Sequence, residues 1–587
     1  MGFRPSALNK KIMKKLMLLL ALISQGATLF AQKLPDAGVE KYVINDSVLI
    51  KTPQGHTLSA VVVRRRDLAG PQPAALLFFI YSDTKRSLTE AKYAADHGYV
   101  GVVADVRGKR LSPEEVVPYE HDAEDVYWVI DWISKQSWSN GKVGMYGGSY
   151  SGFAQWAGLK YKVHPALKTI VPYVSAIPGM GLPMENNVFI NANYGWAFYV
   201  SNNKYLDTAT YNNQQRWRNL SENWYQSGAA YNKIDSVDHA PNKWLQRWLK
   251  HPGFDKYWQS MIPYGKEFEK INIPVLAFDG YYDDGQTSGL YYLRQLAKYN
   301  PRANYYLILG PYDHFGTQRG GERVLRGYQV DSVAIINTKA ITFEWFDYIM
   351  KQGKKPTIIK DRINYEVMGA NRWDHAPSLD KMHQSMLRLY LSNVKKDDQF
   401  RLSFQKPITP AYLEQEVDFA DRTTSNNYAY PFPIIQKDIY SNGFTFISDS
   451  LKHPLIVNGA FLGQITAAIN KKDFDYSVVL YEVMPNGEYF ELTYFLGRAS
   501  YSWDISNRKL LQPGKITMLP FSNTKVVSRQ LRKGSRLLVI INVNKNNFCQ
   551  VNYGTGKDVS FENINDAKTP LKVKWYNSSY IEVPVSK

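Results

Sequence analysis

The sequence predicts an α/β core, interrupted by a helical insertion and followed by an all-β domain. Three observations predict it. Strand-like and helix-like segments alternate from about residue 40 to 380, which is the pattern of a mostly parallel sheet with helices on both faces. That alternation stops between residues 178 and 268, where six of the 14 tryptophans gather among polar, Asn-rich connections with no strand pattern. After about Gln384, short alternating segments divided by turn residues replace every long helical pattern, the texture of a two-sheet sandwich or jelly roll.

The first residues read as a targeting segment. Lys10, Lys11, Lys14 and Lys15 form a basic stretch, Leu16 to Ile23 an apolar one, and a small-residue site lies near Ala31-Gln32. This is the pattern of a secretory signal peptide over residues 1–31. Its apolar run is too short and too early to span a membrane, and no other run approaches that length. No cysteine near the cleavage site offers a lipid anchor. The expected product is exported, to the periplasm or beyond.

At 587 residues, the chain is too long for one core and calls for two or three domains. Hydrophobic residues at 44% and aromatics at 14% exclude a disordered chain. The net charge of +18 includes five basic residues and no acid in the first 31, so the remainder is near +13. Basic residues are scattered, and the one cluster, Arg64-Arg65-Arg66, sits in a strand-like hairpin, so no nucleic-acid partner is expected. A single cysteine, Cys549, excludes an intrachain disulfide and a thiolate metal site.

In the core, Leu58 to Val63 and Ala74 to Tyr81 read as strands, and Leu88 to His97 as a helix closed by Gly98. Tyr99 to Val106 is an apolar run and hence a buried strand. His121 to Lys135 carries Val126, Val129, Ile130 and Ile133 at helical spacing. Lys142 to Tyr146 is a strand, Phe153 to Lys160 a helix and Leu167 to Val174 another strand. Beyond the insertion, strands are expected at Pro274 to Gly280 and Ala303 to Gly310, a helix at Thr338 to Gln352, and a last strand at Arg362 to Met368. The β domain shows its pattern at Leu387 to Leu391, Leu455 to Val457, Tyr476 to Val483, Tyr489 to Leu492 and Arg536 to Val543, with Pro485-Asn486-Gly487 as a turn.

The sharpest local signal is Gly147-Gly148-Ser149-Tyr150-Ser151-Gly152, between a strand and a helix. A serine held in so tight a turn needs small residues before and after it, and its hydroxyl is then exposed at the top of a sheet as a nucleophile. In such a sheet an acid and a histidine follow in that chain order. The strand ending at Phe278 runs into Asp279, Asp283 and Asp284. The strand ending at Leu309 runs into His314. Both loops lie past carboxyl ends of parallel strands, where open α/β sheets place ligands. His314 would take the serine proton, and an aspartate would orient the imidazole. Position alone does not choose among Asp279, Asp283 and Asp284. Tyr81, at a strand end, would by itself be an edge aromatic.

Taken together, Asp105-Val106-Arg107-Gly108, the elbow, Gly280-Tyr281-Tyr282-Asp283 and Gly310-Pro311-Tyr312-Asp313-His314 resemble the CocE/NonD hydrolases. These are relatives of cocaine esterase, the α-amino acid ester hydrolases, glutaryl acylases and X-prolyl dipeptidyl-peptidases. The resemblance continues through Val367 to Trp373, Asp473 to Tyr476 and Gly534 to Leu537, nearly the whole mature chain. It implies an α/β-hydrolase core over 32–177 and 269–385, a helical cap over 178–268 and a C-terminal jelly roll over 386–587. It implies Ser149 as nucleophile, Asp283 as acid and His314 as base. The oxyanion hole it implies is the Tyr81 hydroxyl with the Tyr150 N–H. No metal or cofactor is implied.

The expected substrate is a small ester, amide or short peptide. An X-prolyl dipeptidyl-peptidase-like aminopeptidase is the alternative, although the large N-terminal domain of the long X-prolyl peptidases is missing. A non-catalytic glycan- or peptide-binding protein is the second alternative. Amino-acid-ester members hold a substrate ammonium with clustered carboxylates. Position 151 is serine here and supplies none, which leaves Asp284, Glu185 and Asp207 as candidates. For the β domain, a covering role without a ligand is expected.

Overall fold

The computed structural model describes residues 41–396, 399–426 and 433–587; the expected signal peptide lies outside the described residues. The core is a ten-stranded sheet. Its strands are β1 (Tyr42–Lys51), β2 (Thr57–Arg65), β3 (Gln72–Phe79), β4 (Val100–Asp105), β5 (Ser139–Gly148), β6 (Leu167–Tyr173), β7 (Val275–Gly280), β8 (Tyr305–Gly310), β9 (Ile363–Val367) and β10 (Arg372–Ala376). They lie side by side in the order β1-β2-β4-β3-β5-β6-β7-β8-β9-β10. The strands from β4 to β9 run parallel, and β1, β2 and β10 add antiparallel edges. The sheet is thus longer at both ends than the sequence pattern indicated. β1 and β10 are edge strands with alternating or exposed side chains, so they lack the apolar run that marks β4, where every residue is buried.

Helices cover both faces. α1 (Thr84–Asp96) starts on Asp83, whose carboxylate accepts the Arg86 N–H, and stops at Gly98, whose φ of 76° ends the helical path. α2 (Asp122–Ser134) opens with Asp122, Glu124 and Asp125, which complement the positive end of its dipole, and buries Val126, Val129, Ile130 and Ile133. α3 (Tyr150–Ala157) leaves the elbow fully buried. α4 (Ala192–Ser201), α5 (Gln214–Ser227) and α6 (Lys243–Trp248) belong to the insertion. α7 (Gln286–Tyr299), α8 (His314–Arg319) and α9 (Thr338–Met350) complete the core. α1 and α9 pack one sheet face through Ala91, Ala94, Phe343 and Phe346. α2, α3 and α7 pack the other, where the Trp156 and Tyr292 rings stack 4.7 Å apart. α7 and α8 escaped the sequence pattern. α7 buries Gln286, Thr287 and Ser288 along with its leucines, which blurs its apolar stripe, and α8 spans only six residues.

The insertion is helical, with one correction to the expectation of no strand. Met184–Glu185 and Val188–Phe189 pair as a small antiparallel hairpin, too short to carry a periodic signal. The C-terminal region is all-β: 14 strands, from Ser385–Lys396 to Tyr580–Ser586, are linked by hydrogen bonds. Leu571–Tyr576 alternates buried and less buried side chains, as a strand with one core face must. Buried ions here are paired. Arg498 donates to Asp475 through Nε (2.9 Å) and Nη2 (3.0 Å), with both side chains almost fully enclosed. Removing one partner of such a pair leaves a buried charge unanswered, so Arg498→Leu is expected to lower unfolding free energy by about 3–5 kcal/mol in urea denaturation.

Candidate active site

Four of the central strands, β3 and β5 on one side of β6 and β7 and β8 on the other, bring the candidate residues to their carboxyl ends. β3 leads into Tyr81, β5 into Ser149, β7 into Asp279 and Asp283, and β8 into His314. The β3 crossover returns on one side of β3 and the later ones proceed on the other, so the gathering point is the switch point of the sheet.

Ser149 sits between β5 and α3 with φ 61° and ψ −120°, a left-handed backbone that side chains rarely adopt. Close packing imposes it. A Cβ on Gly147 would come 2.5 Å from Leu77 Cδ1 and 2.8 Å from Ser151 Cβ. One on Gly152 would come 2.8 Å from the Tyr173 carbonyl oxygen. One on Gly148 would meet the Gln318 side chain at 2.6 Å, so α8, which opens with His314, lies directly over the elbow.

His314 Nδ1 lies 2.7 Å from Asp283 Oδ1 and donates its hydrogen there, which leaves Nε2 as the proton acceptor. Asp283 is fully buried, while Asp284 is half exposed with Oδ1 3.6 Å from the same Nδ1. Burial pulls the His314 imidazole down, but the Asp283 charge and hydrogen bond, with Asp284 behind them, outweigh it and push it up to about 9. The neighbouring acids divide. Asp279, buried with Oδ1 accepting the Gly280 N–H (3.0 Å), is driven well above the carboxylate range by burial and by the Asp283 charge, so it stays protonated. Asp284 is held low, because His314, a hydrogen bond from the Asp283 side and Lys525 outweigh its desolvation.

Tyr81 places its hydroxyl 3.5 Å from Ser149 Oγ. The Trp196 indole N–H donates to the same phenol oxygen at 3.0 Å. Tyr150 opens α3. Its hydroxyl donates to the buried Asp122 (2.8 Å) and accepts the Tyr119 N–H (3.0 Å), which fixes the ring. Burial pushes the Asp122 carboxyl up to about 8. Below Tyr81, Asp105 accepts hydroxyl hydrogens from Ser82 (2.5 Å) and Ser59 (3.0 Å), which anchors the loop that carries the tyrosine.

Of the three candidate ammonium ligands, Asp284 and Glu185 share one charged region, and Asp207 is engaged elsewhere. Asp284 lies beside His314. Glu185, buried in the hairpin, accepts from Tyr494 Oη at 3.2 Å, and Tyr494 in turn accepts from Lys525 Nζ at 3.0 Å. Burial pushes Glu185 up to about 7, with Lys525 and the Tyr494 hydrogen bond pulling the other way. Asp207 caps a short helix through the Thr210 N–H (3.0 Å) and accepts from Asn202 (2.8 Å). The sequence reading missed Trp196 and Asp122 as members of the site. The concentration of tryptophans in the insertion was the available signal for the first; nothing in the sequence marks the second.

Residues 54–316 match the family model described as X-Pro dipeptidyl-peptidase (S15 family), and residues 360–571 match that of the X-Pro dipeptidyl-peptidase C-terminal non-catalytic domain. The chain is similar to cocaine esterase of Rhodococcus sp. (strain MB1 Bresler), at 24% identity over 580 residues, covering 90% of this chain and 96% of that one. Among solved structures, an aminopeptidase from the marine sediment archaeon Thaumarchaeota archaeon superimposes with a TM-score of 0.79 at 19% identity, covering 95% of this chain and 98% of that one. A selenomethionine-labelled α-amino acid ester hydrolase gives 0.75 at 21% identity, covering 93% and 97%. A CocE/NonD family hydrolase from Staphylococcus aureus gives 0.65 at 14% identity, covering 93% and 94%. At these identities the solved structures bear on the fold alone.

The charge pattern around the imidazole has a measurable consequence. His314 is expected to titrate near pH 9 by nuclear magnetic resonance, and Asp284→Asn is expected to move that titration downward by removing one facing charge. A histidine raised in the folded state lends stability below its unfolded value near 6.5, and that contribution is expected to fade as pH rises through about 9.

Proposed function

Because this chain belongs to the S15 and CocE/NonD serine hydrolases, we propose that Ser149, His314 and Asp283 are its catalytic triad and that it cleaves esters or amides through an acyl-enzyme. The observation that carries this reading is the 2.7 Å Nδ1 to Asp283 hydrogen bond at the start of α8, the helix that lies over a serine strained at the switch point of the sheet.

In this reading Ser149 Oγ attacks the acyl carbonyl while His314 Nε2 takes its proton. The tetrahedral oxyanion is met by the Tyr81 hydroxyl and the Tyr150 N–H. Two donors preorganised for that oxygen contribute on the order of 3 kcal/mol each. As the intermediate collapses, the imidazolium returns the proton to the leaving alcohol or amine. Water then enters, gives its proton to Nε2, and attacks the acyl-enzyme. The oxyanion re-forms, the acyl–oxygen bond to Ser149 breaks, and the proton goes back to Oγ. His314 must be neutral to begin, so kcat/KM is expected to rise with pH on a limb above 6.5, toward about 9.

The acyl group we assign is apolar and without a free α-amino group. Trp196 and Tyr81 form an aromatic wall beside Ser149. Glu185 is spent on Tyr494 and Asp207 on a helix cap, so neither offers an ammonium ligand. Asp284, half exposed beside His314, is the one observation that favours the aminopeptidase-type reading instead. The basic and apolar stretches of residues 1–31 support export, which we also propose.

A fluorophosphonate is expected to label Ser149 alone, and Ser149→Ala to lower turnover by at least about 10³-fold. Label on another residue, or hydrolysis that survives the substitution, ends the triad assignment. Across p-nitrophenyl esters, aminoacyl esters and Xaa-Pro anilides, the unsubstituted acyl esters are expected to give the highest kcat/KM. A marked preference for a free α-amino group would replace this substrate class with the peptidase-like one.

A further inference from the structure

Tyr81 is joined to the cap by a hydrogen bond that the triad chemistry does not itself require. The Trp196 indole N–H, on α4, reaches the Tyr81 phenol oxygen at 3.0 Å, and that oxygen lies 3.5 Å from Ser149 Oγ. An indole nitrogen only donates, and a phenol has one proton to give. The bond therefore fills an acceptor position on Tyr81 and leaves its proton for the oxygen that approaches from Ser149. Accepting a hydrogen bond also makes the phenol a stronger donor, and here the Trp196 bond opposes the rise that burial imposes on Tyr81.

The indole, partly buried, is held by neighbouring rings. Its ring stacks on Tyr119 (5.3 Å, 18°), Tyr150 (6.1 Å, 25°) and Trp248 (6.1 Å, 29°). Tyr119 and Tyr150 are themselves fixed by the bond between them and by Asp122. The start of α4 is tied to the C-terminal β region. The Asn191 N–H donates to the Phe548 carbonyl (2.8 Å), the Asn191 amide to the Asn547 carbonyl (2.7 Å), and the Gln550 N–H to the Phe189 carbonyl (3.0 Å). We propose that Trp196, besides walling the acyl side, is a positioning residue for the oxyanion donor and acts on turnover through Tyr81.

The proposal rests on Tyr81 being the oxyanion donor, and a double-mutant cycle on the full chain separates the two ideas. With a p-nitrophenyl ester, Trp196→Phe keeps a stacking ring and loses the N–H; kcat is expected to fall about threefold to tenfold with KM held, the range for one neutral hydrogen bond. In a Tyr81→Phe background, the same substitution is expected to change kcat less than about twofold, because the partner is already gone. Benzothienylalanine at position 196 keeps the ring shape without the N–H and is expected to reproduce the loss, which guards against misfolding of the phenylalanine variant. If Tyr81→Phe alone leaves kcat intact, both the oxyanion assignment and the proposal fall. If Tyr81→Phe is impaired but Trp196→Phe costs the same in both backgrounds, the indole acts through packing and only the proposal falls. A benzothienylalanine variant with full kcat overturns it as well.

Discussion

Everything at the site depends on how closely β5 packs beneath Ser149. A left-handed serine costs on the order of 1–3 kcal/mol. That cost is offset locally. The Ser149 N–H donates to the Tyr173 carbonyl at 3.0 Å, and its own carbonyl accepts from Phe153 (3.0 Å) and Ala176 (3.3 Å). At about 0.5–1.5 kcal/mol each, three such bonds match the strain, and the buried walls of α3 add to them. The turn is therefore held by β6 and by the loop behind it, and it cannot relax without breaking bonds in two neighbours. The glycines at 147, 148 and 152 are consequences of the same closeness, since a Cβ at any of them would overlap a wall of the site.

The second organising constraint is charge. Asp279, Asp283, Asp284, Glu185 and Glu491 crowd one region with His314 and Lys525. Five carboxylates cannot all stay ionised out of water. The structure resolves this by rank. Asp279 stays protonated, and burial pushes Glu185 and Glu491 up to about 7. Asp284, half exposed and 3.6 Å from His314 Nδ1, is held low. Burial raises the Asp283 carboxyl, and the charge and hydrogen bond of the facing imidazole work against that rise. The imidazole is thus raised by Asp283 first, then by Asp284 and Asp313, while Lys525 donates to Tyr494, which donates to Glu185.

The α/β class and the helical character of the insertion were legible because they rest on periodicity, which is local. β4 shows an unbroken apolar run, and α2 shows its four core residues in register. Edge strands were not legible, since β1 and β10 pair on one side only and their side chains need not be apolar. The elbow, His314 and the choice of strand ends were legible from motif and order. The choice of Asp283 over Asp279 and Asp284 needed the family resemblance. In the structure the turn after β7 brings Asp283 Oδ1 to Nδ1 at 2.7 Å, while Asp279 remains bonded to the Gly280 N–H and Asp284 turns outward. Four residues of loop decide this, and loop geometry leaves no periodic trace.

The acyl-binding side was least legible, and the reason lies in the kind of contact that builds it. The hairpin and the start of α4 meet the β region through asparagine side chains bonded to backbone carbonyls: Asn186 to Leu496 (2.7 Å), Asn187 to Ile505 (2.9 Å) and Asn191 to Asn547 (2.7 Å). A carbonyl accepts whatever side chain its residue carries, so one half of each contact leaves no mark in the sequence. The other half is an asparagine in an Asn-rich stretch, which reads as loop. Yet these bonds set where α4 begins, and a helix moved by one residue rotates its side chains by about 100°. Trp196 would then leave Tyr81. The β region, which chemistry alone would leave aside, therefore shares in fixing the Trp196 wall beside Ser149 that we assign to the acyl group.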